Sequence, residues 1–207
     1  MSVLDRLASA LGRNDEAPNV ELAQDLAASR DTGAIAELVG ALTTGSAAIK
    51  SDAIKTLYEI GALRPELIAP HADAFFAQLD SSSNRLVWGA MTAIDEIAAV
   101  APKQVAAHLP QITAAADRGS VIAKDHCIAL LVKLARAGNA DTICPILLHR
   151  LADSATNQFP SYAEAIGPVV PTPQRGNFIA ILKDRLATAM AESKRKRVEK
   201  LLAKFNG

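Results

Sequence analysis

Large aromatic side chains are scarce in this chain: they make up 4% of its 207 residues, with a single tryptophan. A β-sandwich core or an aromatic-lined ligand pocket draws on such residues, whereas the abundant alanine suits helices that approach one another closely. Cysteine is almost missing as well. Cys127 and Cys144 both fall inside apolar helical patterns and lack the spacing of metal ligands. That leaves no disulfide framework and points to reduced, buried thiols in a cytoplasmic protein. No uncharged span reaches the ~20 residues that a membrane helix needs. The first turns carry Asp5 and Arg6 where a secretory leader would be apolar, so no membrane partner is expected. The 22 basic and 22 acidic residues cancel, which excludes a chain-wide footprint for nucleic acid. There is also no Gly-rich phosphate loop, no serine or cysteine nucleophile motif and no paired metal-binding motif, so neither catalytic residues, metal nor cofactor are expected.

The cancellation is uneven along the sequence. Residues 183–207 carry eight basic against three acidic residues, an excess of +5, which leaves −5 for the remainder. Half of the chain is hydrophobic, enough to bury a sizeable core.

What the sequence does contain is a repeat. Shifting Ile49 to Asp117 by 37 residues lays Ala53, Ile54, Leu57 and Ile60 on Ala90, Met91, Ile94 and Ile97, Pro65 on Pro102, His71 on His108 and Asp80 on Asp117. A third copy places Cys127, Ile128, Leu131 and Leu134 in the same apolar slots, with Asn139 where the prolines stand. A fixed period of this size marks stacked helical units, none of which can bury its apolar face alone. Each first helix spaces its apolar residues by three and four, so one stripe faces the stack.

This pattern predicts a single domain over 1–207, with an irregular N-terminal cap (1–45), three regular repeats (46–155) and an irregular C-terminal repeat with a basic capping helix (156–207). Within the cap, a helix is expected from Ser2 to Leu11, and Asn19 is expected to cap the next. Repeat one pairs a helix from Ser46 to Ala62 with one from Pro65 to Leu79. Repeat two pairs one from Ser82 or Ser83 to Val100 with one from Pro102 to Ala116. The prolines sit where a first-turn residue needs no amide hydrogen. Repeat three pairs Ser120 to Ala137 with Asp141 to Ala152. Continuing the count lands on Pro168, which breaks the repeat. A short helix is expected near Tyr162 to Ile166, then an irregular loop, a helix capped by Asn177 and a last one from Ser193.

Paired antiparallel helices, with proline opening the second and aspartate closing it, resemble the HEAT-repeat class of the armadillo-type solenoids. The resemblance implies an all-α, right-handed α-solenoid. The segment Asn84 to Ala90 also resembles small prokaryotic HEAT-type proteins, a likeness that implies no activity.

Trp88 is the leading candidate for a functional residue. Its slot holds Ser51 in the repeat before and Asp125 in the repeat after, so the pattern treats the position as polar. Arg85 and Asp95 share the flank of the same helix, and an amphipathic aromatic between charges suits the anchoring of a partner. The alternative is that the adjoining repeat covers the ring. The favoured function is thus a non-catalytic scaffold that binds an unidentified protein or peptide through Arg85, Trp88 and Asp95. A second reading takes Lys194, Arg195, Lys196 and Arg197 as a nucleic-acid patch, against a simple solubilising face for a terminal helix. A third follows from a family likeness, since some solenoids of this class are DNA glycosylases; one tryptophan and net-acidic repeats count against it. His71 and His108 recur in register, but with no third ligand beside them they read as interfacial histidines rather than a metal pair.

Overall fold

The structure is a computed structural model and describes residues 2–205. Its described residues are helical, with no strand among them. They form two compact units, which divide between Leu130 and Leu131.

In the first unit the chain enters through a 3₁₀ turn, Val3–Arg6. Ser2 caps it by accepting from the Leu4 amide while Asp5 accepts from Ser2. The helix expected from Ser2 to Leu11 goes no further than this turn. Tertiary acceptors claim the amides that would extend it: Ala8 N–H donates to Asn19 Oδ1 at 2.9 Å and Ser9 N–H to Asp52 Oδ2 at 2.8 Å. Asn19 is accordingly no helix cap. Helix α1 (Ala17–Ser29) starts two residues earlier, and Asn19 lies fully buried in it, its amide donating to Asp52 Oδ1 at 2.8 Å. Helix α2 (Thr32–Thr44) is capped by Asp31, which accepts from Ala34.

Helix α3 (Ala47–Leu63) begins where Ser46 accepts from the Ile49 amide, and packs on α1 and α2. The proline-initiated second helix of this repeat is broken where one helix was expected. It runs as α4 (Pro65–Ile68), a 3₁₀ turn Ala69–His71 and α5 (Ala72–Gln78). Pro70 explains the break, since it has no amide hydrogen and its ring clashes with the carbonyl four residues back. Helix α6 (Asn84–Ile97) packs on α3, α4 and α5. Its partner is again split, into α7 (Pro102–Ala107) and α8 (Leu109–Arg118), with Pro110 in the first turn of the second piece.

The core sits where the repeat predicts. Ile54, Leu57, Ile60, Met91, Ile94, Ile97, Ile128, Leu131 and Leu134 are all buried. Helices α3 and α6 approach closely at Gly89: a Cβ there would lie 2.8 Å from Ile54 Cγ1. Asp52 fills that slot in the preceding repeat, so the close approach depends on a glycine that the repeat does not require.

Helix α9 spans Val121–Leu134. In the second unit the chain passes through a π-type turn at Ala135–Asn139, where Gly138 takes φ 99°, a left-handed conformation that side chains disfavour. Helices α10 (Ala140–Ala152), α11 (Phe159–Ile166), α12 (Arg175–Leu186) and α13 (Glu192–Phe205) pack around fully buried Phe159 and Phe178. As the proline at 168 requires, α11 ends in a 3₁₀ turn, Gly167–Val169. Helix α12 starts before Asn177, which lies inside it.

Candidate functional site

The first turn of α6 places Arg85 and Trp88 three residues apart, hence on one side of the helix. The Arg85 guanidinium lies 4.2 Å above the Trp88 ring, within range of a cation–π contact. Its Nε donates to Ser51 Oγ at 3.2 Å, so the serine in the tryptophan's slot of the previous repeat is what anchors this arginine. Across the helix pair, Tyr58 of α3 meets Trp88 at 5.9 Å between centroids with the rings tilted by 46°. Lys55 Nζ then lies 4.9 Å from the centre of the Tyr58 ring. The order Lys55, Tyr58, Trp88, Arg85 is a ladder of two aromatic rings flanked by two cations.

Carboxylates close both ends. Lys55 Nζ is 2.6 Å from Glu59 Oε1, one turn on, and 3.1 Å from Glu16 Oε2. The other Glu16 oxygen accepts from Arg85 Nη2 at 2.7 Å. One carboxylate from the segment before α1 thus bridges the two cations. Burial by itself would lower the Lys55 pKa, but hydrogen bonds with Glu59, Tyr58 and Glu16 outweigh it and hold it well above the usual lysine range. Lys55 stays charged. The ladder is open at one end: Lys55 and Tyr58 are buried, whereas Trp88 is partly exposed and the Arg85 and Glu16 side chains retain 25% and 52% of their exposure.

The three residues singled out from the sequence do not converge. Arg85 and Trp88 touch, whereas Asp95 lies two turns along α6 and is 5% exposed, its Oδ2 2.9 Å from His126 Nδ1 of α9. Glu16, Lys55 and Tyr58 were not singled out. Stacking in register gave a usable signal for Lys55 and Tyr58, since the neighbours of Trp88 must include the helix face that carries Ser51. Nothing in the repeat pointed to Glu16, which lies outside it.

The basic run on α13 is committed to contacts within its own unit. Arg197 forks onto Glu164 at 3.0 and 2.6 Å. Arg195 donates to the carbonyls of Leu186 and Thr188 at 2.7 and 3.2 Å, where the last carbonyls of α12 lack partners within the helix. Lys194 bonds Asn157, and Lys196 lies 3.6 Å from Glu192.

His108 stacks on Phe76 at 3.8 Å, and its Nδ1 faces the Gln104 carbonyl at 3.0 Å. Among the described residues no group of three or more His, Cys, Asp or Glu side chains is placed to hold a metal ion. Nor is any described helix long and apolar enough to cross a membrane. A depression of about 200 Å³ lies by the Leu79 to Asn84 turn, beside the exposed Asp80–Arg118 ion pair.

No protein-family model matches the sequence, and no curated protein matches it. Solved structures do. An engineered protein from a structural-genomics programme superposes with a TM-score of 0.65 at 19% identity, over 100% of this chain and 97% of that one. A designed armadillo repeat protein in complex with the peptide (KR)4 reaches a TM-score of 0.68 at 19% identity, over 90% of this chain and 86% of its own. The fold is of the armadillo type. Computationally designed armadillo repeat proteins for modular peptide recognition match similarly, with a TM-score of 0.64 at 19% identity over 88% of this chain and 85% of theirs. An armadillo-type fold agrees with the HEAT-like pairing read from the 37-residue period, and at this level of identity the likeness concerns the fold alone.

Proposed function

We propose that the chain is a non-catalytic helical-repeat scaffold that binds a protein or peptide through the α3–α6 surface carrying Arg85 and Trp88. The observation that carries this reading is the cation–aromatic ladder, in which partly exposed Arg85 and Trp88, side-chain types that dominate binding energy at interfaces, rest on buried Lys55 and Tyr58. Two of the similar structures support it, since one is described with a bound peptide and another as made for modular peptide recognition. Arg85 and Trp88 supply the contacts in this reading. Asp95 acts behind them by fixing α9 through His126. The buried free thiols of Cys127 and Cys144 favour a reducing, cytoplasmic setting.

Selection of a displayed peptide library on the full chain tests the reading, followed by titration of the selected peptides against the Trp88→Ala and Arg85→Gln variants. Binding is expected to fall at least tenfold in both while each remains folded. Peptides that bind both variants as tightly as the parent chain would move the site elsewhere.

Nucleic-acid binding through Lys194, Arg195, Lys196 and Arg197 is the second reading, and their intramolecular commitments weaken it. Such binding is expected to be weak, independent of sequence and lost steeply between about 50 and 200 mM salt. Tight binding that survives replacing all four with glutamine would reverse the ranking.

A further inference from the structure

We infer that the occupant of the Lys55–Tyr58–Trp88–Arg85 ladder is an acidic peptide segment, and that Glu16 is its intramolecular stand-in. This rests on the reading of that surface as the binding site. Glu16 stands at the residue before α1, where a side chain ordinarily caps the helix, yet it makes no capping bond there. The Ala17 amide donates to Asp15 Oδ1 instead, at 3.0 Å. The Glu16 carboxylate is spent on the ladder, one oxygen on each cation, at 2.7 and 3.1 Å.

The segment that delivers it is open to solvent. Residues 11–17 are all exposed, and Gly12 takes φ 68°. The Glu16–Arg85 pair is partly open to water and contributes little, so its carboxylate can be replaced by another at small cost, while the buried Lys55 stays paired with Glu59 throughout. The departure of Glu16 would not disturb both cations equally. Lys55 keeps Glu59 at 2.6 Å, whereas Arg85 keeps only the Ser51 hydroxyl and the Trp88 face. What remains is a planar guanidinium on an aromatic surface with one surplus positive charge. That arrangement suits a carboxylate, which can take both Arg85 and Lys55 as Glu16 does. A basic peptide would meet the same two cations and be repelled. The occupant's charge is therefore opposite to that of the (KR)4 peptide in complex with the similar designed protein.

Because Glu16 is tethered, it lowers the affinity for any competing acidic segment by the fraction of time the site is free. If Glu16 holds the site nine-tenths of the time, removing its charge tightens binding by about tenfold. The lone tryptophan is part of the site, so its emission reads occupancy directly. The full chain would be titrated with blocked (Asp-Glu)4, blocked (Lys-Arg)4 and free glutamate at equal carboxylate concentration. The parent chain, Glu16→Gln and Glu16→Gln with Arg85→Gln would be compared, each checked by circular dichroism for an unchanged helical signal. The expected result is a response to (Asp-Glu)4 alone, tightened several-fold by Glu16→Gln and abolished when Arg85→Gln is added. A preference for (Lys-Arg)4, an equal response to free glutamate, or unchanged affinity in Glu16→Gln would overturn the acidic occupant and leave the scaffold reading standing. Silence towards every peptide in both the parent and Glu16→Gln would overturn the site itself. Should the double variant fail to fold, Glu16→Gln and the charge-reversed peptide still decide the matter.

Discussion

Replacing Trp88 by alanine measures how much of the ladder is structural and how much is kept for a partner. The ring contributes a cation–π contact with Arg85 at 4.2 Å and a tilted aromatic contact with Tyr58 at 5.9 Å. Contacts of the first kind contribute about 0.5 to 1 kcal/mol at exposed sites, and those of the second about 0.5 to 1.5 kcal/mol beyond their area. Trp88 is partly exposed rather than buried, so the full cavity penalty of about 3 to 5 kcal/mol for a core tryptophan does not apply. Together these predict a loss of about 2 kcal/mol for Trp88→Ala. Urea unfolding followed by far-ultraviolet circular dichroism is the suitable assay, because the substitution removes the only indole fluorophore. A double-mutant cycle with Arg85→Met, which keeps the aliphatic stem, should give a coupling of about 0.5 to 1 kcal/mol. A loss above about 4 kcal/mol would make Trp88 a core residue and remove it from the binding surface. A loss below about 0.5 kcal/mol with no coupling would mean that the ladder does not form in solution.

Four other outcomes are expected. Gly89→Ala puts a methyl group 2.8 Å from Ile54 Cγ1 and should destabilise the chain by about 1 to 3 kcal/mol, whereas Gly40→Ala, with nothing within 4 Å, should stabilise α2 by about 0.5 to 1 kcal/mol; thermal melts of the two variants should move in opposite directions. Ile94→Ala should cost about 2 to 5 kcal/mol in urea unfolding, since that residue is fully buried in α6. The Arg197 hydrogen bonds hold the Glu164 carboxyl below its usual range, so the pair's contribution is present above the ordinary glutamate value and is lost as pH falls through the lowered one. With side chains 44% and 43% exposed that contribution is under about 1 kcal/mol, and Arg197→Gln should flatten the stability curve only on the acid side. Burial, with Asp141 nearby, pushes the Cys144 thiol up, so Ellman's reagent should react with Cys144 far more slowly in the native chain than in urea.

The site was only half legible in the sequence. Trp88 stood out because Ser51 and Asp125 fill its slot in the flanking repeats, and Arg85 followed from helical spacing. Asp95 shared that flank on a helical wheel, but a wheel carries no information on what the next repeat brings to the position. His126 of α9 meets it there, and the aspartate is buried in that pair. The second helices show a similar limit: Pro65 and Pro102 correctly marked their starts, while the stops imposed by Pro70 and Pro110 were absorbed into one long helical pattern.

The sequence by itself determined the helical class, the 37-residue period and the buried positions from Ile54 to Leu134. All of these follow from spacing, because residues that recur in register along a helix must face the same neighbour. Only the tertiary structure decided that Asn19 bridges Ala8 to Asp52, that Gly89 lets α3 and α6 approach, and that Glu16 reaches Arg85 across 69 residues of sequence. Those contacts depend on how far a side chain reaches once the helices have packed, a quantity that periodicity does not encode.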